Sequence, residues 1–487
     1  MNDLRADFNA ADWAILACYV GVLLVVGFWK RKQNAAEYII ASRNLSLVAF
    51  VATLVATWYG GILGAGEFVY NQGVVAWLTN GFPYYVFAVL FALFLAPKIR
   101  NAGFSVYTIP DKMAAAYGTK TAVLAAAFAF IYATPATYVL MAGTLLHIIL
   151  GWPLLPSMVV GIVFSVVYVY RGGFLSDVRV NVVQFLLMFA GFLTVTWLCL
   201  TRHGGLAYLT KPGVVPADHL QLMGGNTLGY VVAWFFIALT TLVDPGFHQR
   251  CYAARTPRVA QVGILLAVVC WFVFDALTTT TGLFAKALIP GLTNGAMAFP
   301  ALAELVMPHG LKGLFYVGML APIMASVVSY TFIASMTIGR DFIWRLRGDK
   351  HDVLVPHYTR IGMVATSVLS IAIAYAIPSV VQQWYFFGSV LVPGILIPLL
   401  AAYTNGTRWK ASGNFTFVSM LLGAGTSLVW FGWGWAHGGM SDPHFWRGVQ
   451  PMYPGLLASG LVYGAGLVRT EGEPSMRTET SSVPTEN

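Results

Sequence analysis

Two kinds of group in this chain could do chemistry inside a membrane: free backbone carbonyls and carboxylates in apolar surroundings. Residues 52–70 read ATLVATWYGGILGAGEFVY, a largely apolar stretch that is interrupted by four glycines and carries Glu67. Asp275 lies in a second apolar stretch, WFVFDALTTTTG. Unpaired backbone groups are expensive in hydrocarbon, so a broken helix persists only where protein, water or an ion satisfies them. The break is therefore a candidate binding site, Asp275 is a candidate proton carrier or partner of a cation, and Glu67 is a second candidate proton carrier.

Both features also have structural explanations. Glycine seams let helices pack closely in lipid, and a protonated Asp275 can hydrogen bond to a neighbouring helix. An interrupted span near the middle of the membrane is, however, typical of the binding site of a secondary transporter. The sequence contains no Walker loop, no HExxH grouping and no nucleophile–base pair, so we predict neither an ATP-driven pump nor an enzyme.

The elements that must position these groups are transmembrane helices. The chain has 487 residues, of which 58% are hydrophobic and 10% charged, with a mean hydropathy of +0.72. This composition predicts an all-α polytopic membrane protein. Windows long enough to cross about 30 Å of hydrocarbon number thirteen: 12–29, 45–69, 74–97, 121–150, 153–170, 180–201, 226–244, 261–287, 310–339, 359–377, 384–403, 415–435 and 452–468.

The distribution of basic residues predicts the orientation, because Lys and Arg near span ends are retained in the cytoplasm. An outside N-terminus leaves only six of the 28 basic residues outside: Arg5, Arg202, Lys211, Lys286, Lys312 and Arg447. We therefore expect a multi-pass protein of the cell membrane, a bacterial inner membrane in our interpretation, with its C-terminus in the cytoplasm. The net charge of +9 then reflects topology, and we predict no nucleic-acid partner.

The chain is predicted to form one transmembrane domain, residues 1–469, followed by a polar tail. Residues 470–487 are low in apolar side chains and are expected to be a disordered cytoplasmic segment. The segment YTIPDKMAAAYG, residues 107–118, has a proline where a first helical turn tolerates one and a glycine where a helix ends. It predicts a short helix between two spans.

Five segments, in this order, resemble the sodium/solute symporter family, which includes the bacterial proline, pantothenate and sugar symporters. They are ATWYGGILGAGEFVYNQG, YTIPDKMAAAYG, GGFLSDVRVNVVQ, DPGFHQRCYAAR and APIMASVVSYTFIASMTIGRDF. The resemblance implies a leucine-transporter-like fold with two inverted five-helix repeats, about 45–201 and 226–404. Helices 12–29, 415–435 and 452–468 would then be peripheral. The first helix of each repeat would be broken, here at the glycine-rich stretch and at FFIALTTLVDPG.

The family's sodium site, carried onto this sequence, falls on the backbone carbonyls of Ala56, Tyr59 and Pro322 and on the side chains of residues 325 and 326. Hard cations prefer oxygen ligands, and Ser326 supplies a hydroxyl. Ala325 departs from the family, which has a Ser or Thr ligand there. A second departure is Asn181, where the family has an Asp. The resemblance implies Na⁺ as the coupling ion; H⁺ is the alternative, with Asp275 or Glu67 as carrier.

By the same resemblance, four spans line the substrate site. The implied residues are Trp58, Ile62, Tyr132, Trp234, Phe236, Ile237, Thr240, Trp384 and Tyr385. The glutamate of the sugar-binding members falls on Ala76, which favours an amino acid or a carboxylate over a sugar. We therefore expect cation-coupled symport of a small organic solute by alternating access, in the lipid bilayer and without an obligate protein partner. A proton-coupled transporter and a transporter-like sensor without sodium coupling are the alternatives.

Overall fold

The computed structural model describes residues 4–29, 35–103, 105–348, 352–377, 379–406, 408–439 and 443–472. The α-helices of the first half are α1 Ala10–Gly27, α2 Ala35–Ile40, α3 Leu47–Trp58, α4 Ile62–Gln72, α5 Val75–Asn80, α6 Phe82–Leu90, α7 Ala96–Arg100, α8 Ile109–Tyr117, α9 Thr119–Ala133, α10 Ala136–Leu150 and α11 Leu154–His203. Those of the second half are α12 Leu228–Ile237, α13 Thr240–Val243, α14 Pro245–Ala253, α15 Pro257–Leu288, α16 Ala298–Val306, α17 Leu311–Met336, α18 Arg345–Arg347, α19 Val355–Ala376, α20 Val380–Ala402, α21 Gly413–Gly438 and α22 Met452–Gly472.

Short helical turns complete the path of the chain. The 3₁₀ turns are Ala41–Arg43, Tyr59–Gly61, Leu206–Tyr208, Ala217–Leu220, Gly295–Met297, Asp352–Leu354 and Trp446–Gly448, and π-helical segments occupy Phe91–Leu95 and Thr337–Trp344. The described residues form no strand; Leu45 and Ala254 pair as an isolated bridge. The all-helical prediction is therefore confirmed.

Eleven helical segments among the described residues are long and apolar enough to cross a membrane. The predicted count of thirteen is not confirmed and stays a prediction. One reason is that Leu154–His203 counts as one segment although a kink divides it. At Gly173, where φ is +56° and ψ −155°, two helices meet, and this kink lies between the windows 153–170 and 180–201. The second reason for the lower count is that α22 is not among the eleven segments.

Both expected breaks are present, in different forms. The first is one 3₁₀ turn, Tyr59–Gly61, between α3 and α4, so the chain stays helical through the glycines instead of unwinding. A 3₁₀ turn keeps i→i+3 bonds, which satisfies most of the backbone in a short space. The second break is wider: α12 ends at Ile237, α13 has four residues, and Asp244 is extended with φ −62° and ψ 117°. Pro245 then begins α14, where a first turn accepts it.

Helix α17 is the centre of the bundle. Every residue in its most apolar window is buried, and it packs against α11, α3 and the first break. The predicted short helix is confirmed as α8, with Thr108 capping its start and Gly118 ending it at φ +89°. At the other end of the chain α22 extends to Gly472, so residues 470–472, predicted to be disordered, are helical. The rest of the predicted tail lies outside the described residues.

Candidate functional site

The first break meets α17 at the hydroxyl of Ser326. Its Oγ lies 2.6 Å from the carbonyl oxygen of Thr57 and 3.0 Å from that of Pro322, and the side chain is fully buried. Ala56 and Ala325 are fully buried beside these groups in the sequence. The structure thus brings together the segments that carry the predicted ion ligands. The carbonyl of Thr57, between the predicted Ala56 and Tyr59, is the contact that sequence reasoning missed.

Two glycines at this break are required by close approach of side chains from other helices. A Cβ on Gly60 would lie 1.9 Å from Ser326 Oγ, and one on Gly61 would lie 2.3 Å from the indole of Trp384. No real Cβ contact is that short, so any larger residue must displace α17 or α20. The glycines therefore serve to seat a hydroxyl and an aromatic ring directly on the backbone of the break.

A second polar cluster lies on the same face of α17, one turn beyond Ser326. Ser329 donates to the carboxylate of Asp177, with Oγ 2.8 and 2.7 Å from its two oxygens. The amide of Asn181 donates to Asp177 Oδ1 at 3.0 Å and to Thr53 Oγ1 at 2.7 Å. All four side chains are at most 1% exposed. Asn181 Oδ1 accepts no hydrogen bond from the described residues.

Asp177 is the functional candidate that sequence reasoning missed. It lies four residues before Asn181, so both side chains project from one face of α11. The carboxylate expected at position 181 is thus present one helical turn earlier. The signal was available in GGFLSDVRVNVVQ, in which an Asp precedes the Asn by one turn.

Arg250 supplies the positive charge of this cluster. Its Nη2 lies 3.2 Å from both Thr53 Oγ1 and Ser329 Oγ, its Nη1 donates to the carbonyl of Gly246 at 3.1 Å, and its side chain is buried. The guanidinium therefore shares its hydroxyl partners with Asp177 and Asn181. The guanidinium of Arg250, held in this way, links α14 to α3 and α17.

Asp244 connects this region to an internal cavity. Its Oδ1 accepts from the backbone N–H of Phe247 at 2.9 Å, which caps α14, and its Oδ2 accepts from the hydroxyl of Tyr330 at 2.8 Å. The cavity has a volume of about 180 Å³. Its lining comes from both breaks and from α6, α9, α10, α15, α17 and α20.

Asp275 lines the other part of the cavity. The hydroxyls of Tyr59 and Tyr85 both hydrogen bond to its carboxylate, with Tyr59 at 2.5 Å. Tyr59 also lies 3.0 Å from the carbonyl oxygen of Trp271. Since a phenol has one proton, Tyr59 can donate to either acceptor. Glu67, the other predicted proton carrier, lines neither this cavity nor the larger one described next.

The predicted substrate residues divide between two cavities. Trp58, Tyr132, Ile237, Thr240 and Trp384 line the inner one. A larger cavity of about 990 Å³, near the start of α12 and α20, is lined by Trp234, Phe236 and Tyr385, and by Ile237 again. Ile62 lines neither cavity and is fully buried. Its side chain therefore belongs to the packing of α4.

Sequence reasoning missed most of the polar and aromatic lining of the inner cavity. The further lining side chains are Phe68, Asn80, Tyr84, Thr134, Thr137, Tyr138, Asp244, Tyr330 and Phe387. Asn80, Tyr84 and Tyr330 belong to spans that the resemblance did not assign to the substrate site. The others belong to the four assigned spans, at positions that the resemblance did not name.

Comparison with known proteins identifies the family. The model of the sodium:solute symporter family matches residues 38–423. A sodium/glucose cotransporter of Vibrio parahaemolyticus is 24% identical over 470 residues, covering 84% of this chain and 83% of that protein. The high-affinity choline transporter 1 of Caenorhabditis elegans is 24% identical over 447 residues, covering 82% and 74% respectively.

The fold agrees with this assignment. The solved structure of a Na⁺-coupled sialic acid symporter, in a substrate-bound outward-open state, superposes with a TM-score of 0.76 at 15% identity, covering 94% of this chain and 98% of that one. This likeness confirms the leucine-transporter-like fold implied by the sequence. The protein is a membrane transporter and not an enzyme. With a family model matching most of its length and broken helices around a buried polar site, the chain belongs to the sodium:solute symporter family.

Proposed function

We propose that this protein carries a small organic solute across the membrane with Na⁺, which binds where the first break meets α17. The observation that supports this most is the buried hydroxyl of Ser326 within 3.0 Å of two backbone carbonyls from different helices. Oxygen ligands from two elements suit a hard monovalent cation, and they let the ion tie the elements together. The carbonyls of Ala56 and Tyr59 would complete the ligand set.

Asp177 offsets the two departures from the family's ion site, Ala325 and Asn181. A carboxylate attracts a cation strongly in a low-dielectric setting, and Asp177 supplies one although position 181 is an Asn. The partnerless Oδ1 of Asn181 is a further buried oxygen acceptor in the same cluster. We infer that the Asp177 cluster compensates for Ala325 by keeping negative charge and a free oxygen one turn from Ser326.

The solute is proposed to bind in the inner cavity, between the two breaks. The named relatives carry chemically different solutes, a sugar, choline and sialic acid, so their names do not decide the class. Our preference for an amino acid over a sugar is supported by the carboxylates of Asp244 and Asp275 in the cavity wall. The described residues that line it include no Lys or Arg, which argues against a solute that is only a carboxylate.

Proton coupling is the second candidate, and it rests on Asp275. This carboxylate lines the cavity, and one of its phenol partners, Tyr59, has another acceptor within reach. Asp275 can therefore hold a proton without breaking its contact with Tyr59, because the phenol then donates to the carbonyl of Trp271. Replacement by Asn would remove this proton site.

Reconstitution into proteoliposomes tests the proposal. Uptake of radiolabelled proline, choline and glucose is measured under an inward Na⁺ gradient, an inward H⁺ gradient, and neither. We expect accumulation of at least one solute under the Na⁺ gradient alone. Accumulation under the H⁺ gradient without Na⁺ would favour proton coupling, and binding without accumulation under any gradient would favour the sensor.

A further inference from the structure

The inner cavity combines aromatic rings with carboxylates and has no basic side chain in its lining. Nine of its nineteen lining residues are aromatic: Trp58, Tyr59, Phe68, Tyr84, Tyr132, Tyr138, Tyr330, Trp384 and Phe387. The two carboxylates are those of Asp244 and Asp275. Aromatic faces and carboxylates both attract positive charge.

The rings surround the cavity from several helices and are held in place. Tyr138 and Tyr330 stack with their centroids 5.3 Å apart and their planes 20° from parallel. Trp58 packs edge to face on Tyr84 at 5.3 Å. The indole of Trp384 lies directly over Gly61, as described above. These contacts fix the rings before any solute enters, so little ordering is required on binding.

The two carboxylates differ in how close they lie to a positively charged side chain. Asp244 caps α14 and lies near the guanidinium of Arg250, although no ion pair joins the two among the described residues: a Cβ on Gly246 would lie 2.8 Å from Asp244 Oδ1 and 3.2 Å from Arg250 Nη1. Asp275 has the phenols of Tyr59 and Tyr85, and no ion pair joins it to a described basic residue. A buried carboxylate without a positive partner is the position where an incoming cation gains most.

We propose that this cavity selects an organic cation, a small amine or quaternary ammonium ion, with Asp275 as its counter-charge and the aromatic rings as its walls. The proposal rests on the proposed transport function and names the class of solute. The cavity, with a volume of about 180 Å³, suits a small solute. An anion would be repelled by both carboxylates, and a neutral solute would leave Asp275 uncompensated.

Three molecules of one shape test the charge preference directly. Choline, neutral 3,3-dimethylbutan-1-ol and anionic 3,3-dimethylbutanoate differ mainly in charge. Their binding to the purified full-length protein in nanodiscs is measured at fixed Na⁺ by tryptophan fluorescence and thermal stability, with methylammonium and tetramethylammonium as smaller cations. We expect at least one cation to bind, and choline to bind at least tenfold more tightly than either isostere. Equal binding of the neutral isostere, tighter binding of the anion, or no binding by any of the three cations would overturn the proposal.

Variants separate the role of Asp275 from a general charge effect. Asp275→Asn should reduce the ratio of choline to neutral-isostere affinity to near one, and Asp275→Glu should retain part of it. Asp218→Asn removes an acidic side chain that is 57% exposed and should leave the ratio unchanged. If Asp275→Asn does not fold, Trp384→Leu should weaken choline more than the neutral isostere. An unchanged ratio in the variants that fold would refute the assignment.

The outcome is distinguishable from a failure of the proposed function. Equilibrium binding needs no gradient, so cation selectivity without Na⁺-driven accumulation would reject symport while leaving the assigned solute class intact. Accumulation of a solute that is not a cation would support symport and reject the class. In a third outcome Na⁺ competes with choline, so that choline affinity falls as the Na⁺ concentration rises. If choline, methylammonium and tetramethylammonium then also bind equally well, Asp275 binds the inorganic ion and the proposal is wrong.

Discussion

Replacing Ser326 by Ala removes one oxygen from the contact between the first break and α17. The hydroxyl lies 2.6 Å from the Thr57 carbonyl and 3.0 Å from that of Pro322, and both carbonyls remain in the variant. A hydrogen-bond-strength interaction with a charged partner contributes about 1.5–3 kcal/mol. The loss of one such ligand should therefore raise the half-saturating Na⁺ concentration roughly 10- to 150-fold. Because the side chain becomes smaller, the close approach at Gly60 is not disturbed.

The assay is binding of radiolabelled Na⁺ to the purified protein, together with the Na⁺ dependence of uptake. Ser335→Ala is the matched control: Ser335 lies on the same helix, is buried, and donates to Thr331 at 2.5 Å, the same back-bond to the preceding turn. The control should keep its Na⁺ dependence within about twofold, since this is a neutral, local bond. A Ser326→Ala protein with wild-type Na⁺ dependence would refute the assignment of this contact as the ion site.

Three further substitutions test the same region. Gly60→Ala places a Cβ 1.9 Å from Ser326 Oγ, so Na⁺-dependent uptake should be lost, whereas Gly21→Ala, with open space around it, should be neutral. Ala325→Ser adds a hydroxyl where the family has one and should lower the half-saturating Na⁺ concentration in the binding assay; no change would show that this position does not face the ion. Asp177→Asn removes the carboxylate that accepts hydrogen bonds from Ser329 and Asn181 and should destabilise the protein by about 1.5–3 kcal/mol, measured by thermal unfolding, and adding Asn181→Asp should restore most of that loss.

The fold could largely be predicted because lipid imposes simple rules on length and hydropathy. The window 310–339 anticipated α17, and the motif at 107–118 anticipated α8. The windows 153–170 and 180–201 anticipated the two parts of α11, which meet at the kink at Gly173. The helix boundary was less predictable: residues 174–179 already belong to the second part, where Asp177 pairs with Asn181 and Ser329 inside the bundle.

The uncertain helix boundary explains what was missed in the site. Asp177 lies outside the predicted window 180–201, so its position on the face of Asn181 was not considered. The pairing of Ser326 with the carbonyl of Pro322 agrees with family positions, but the carbonyl of Thr57 and the rings that complete the inner cavity could not be found in this way. Tyr138 and Tyr330 occupy ordinary helical spacing, and only the tertiary packing brings their faces together. Sequence periodicity cannot distinguish such rings from core residues.

Charge balance links the proposed ion and solute sites. Asp177, Asp244 and Asp275, when ionised, stand against the single guanidinium of Arg250 in this region, which leaves two negative charges inside a low-dielectric bundle. Uncompensated charge is costly at that depth. One Na⁺ together with one organic cation makes this region electrically neutral, whereas either cation alone leaves one negative charge. This requirement favours movement of the fully loaded form.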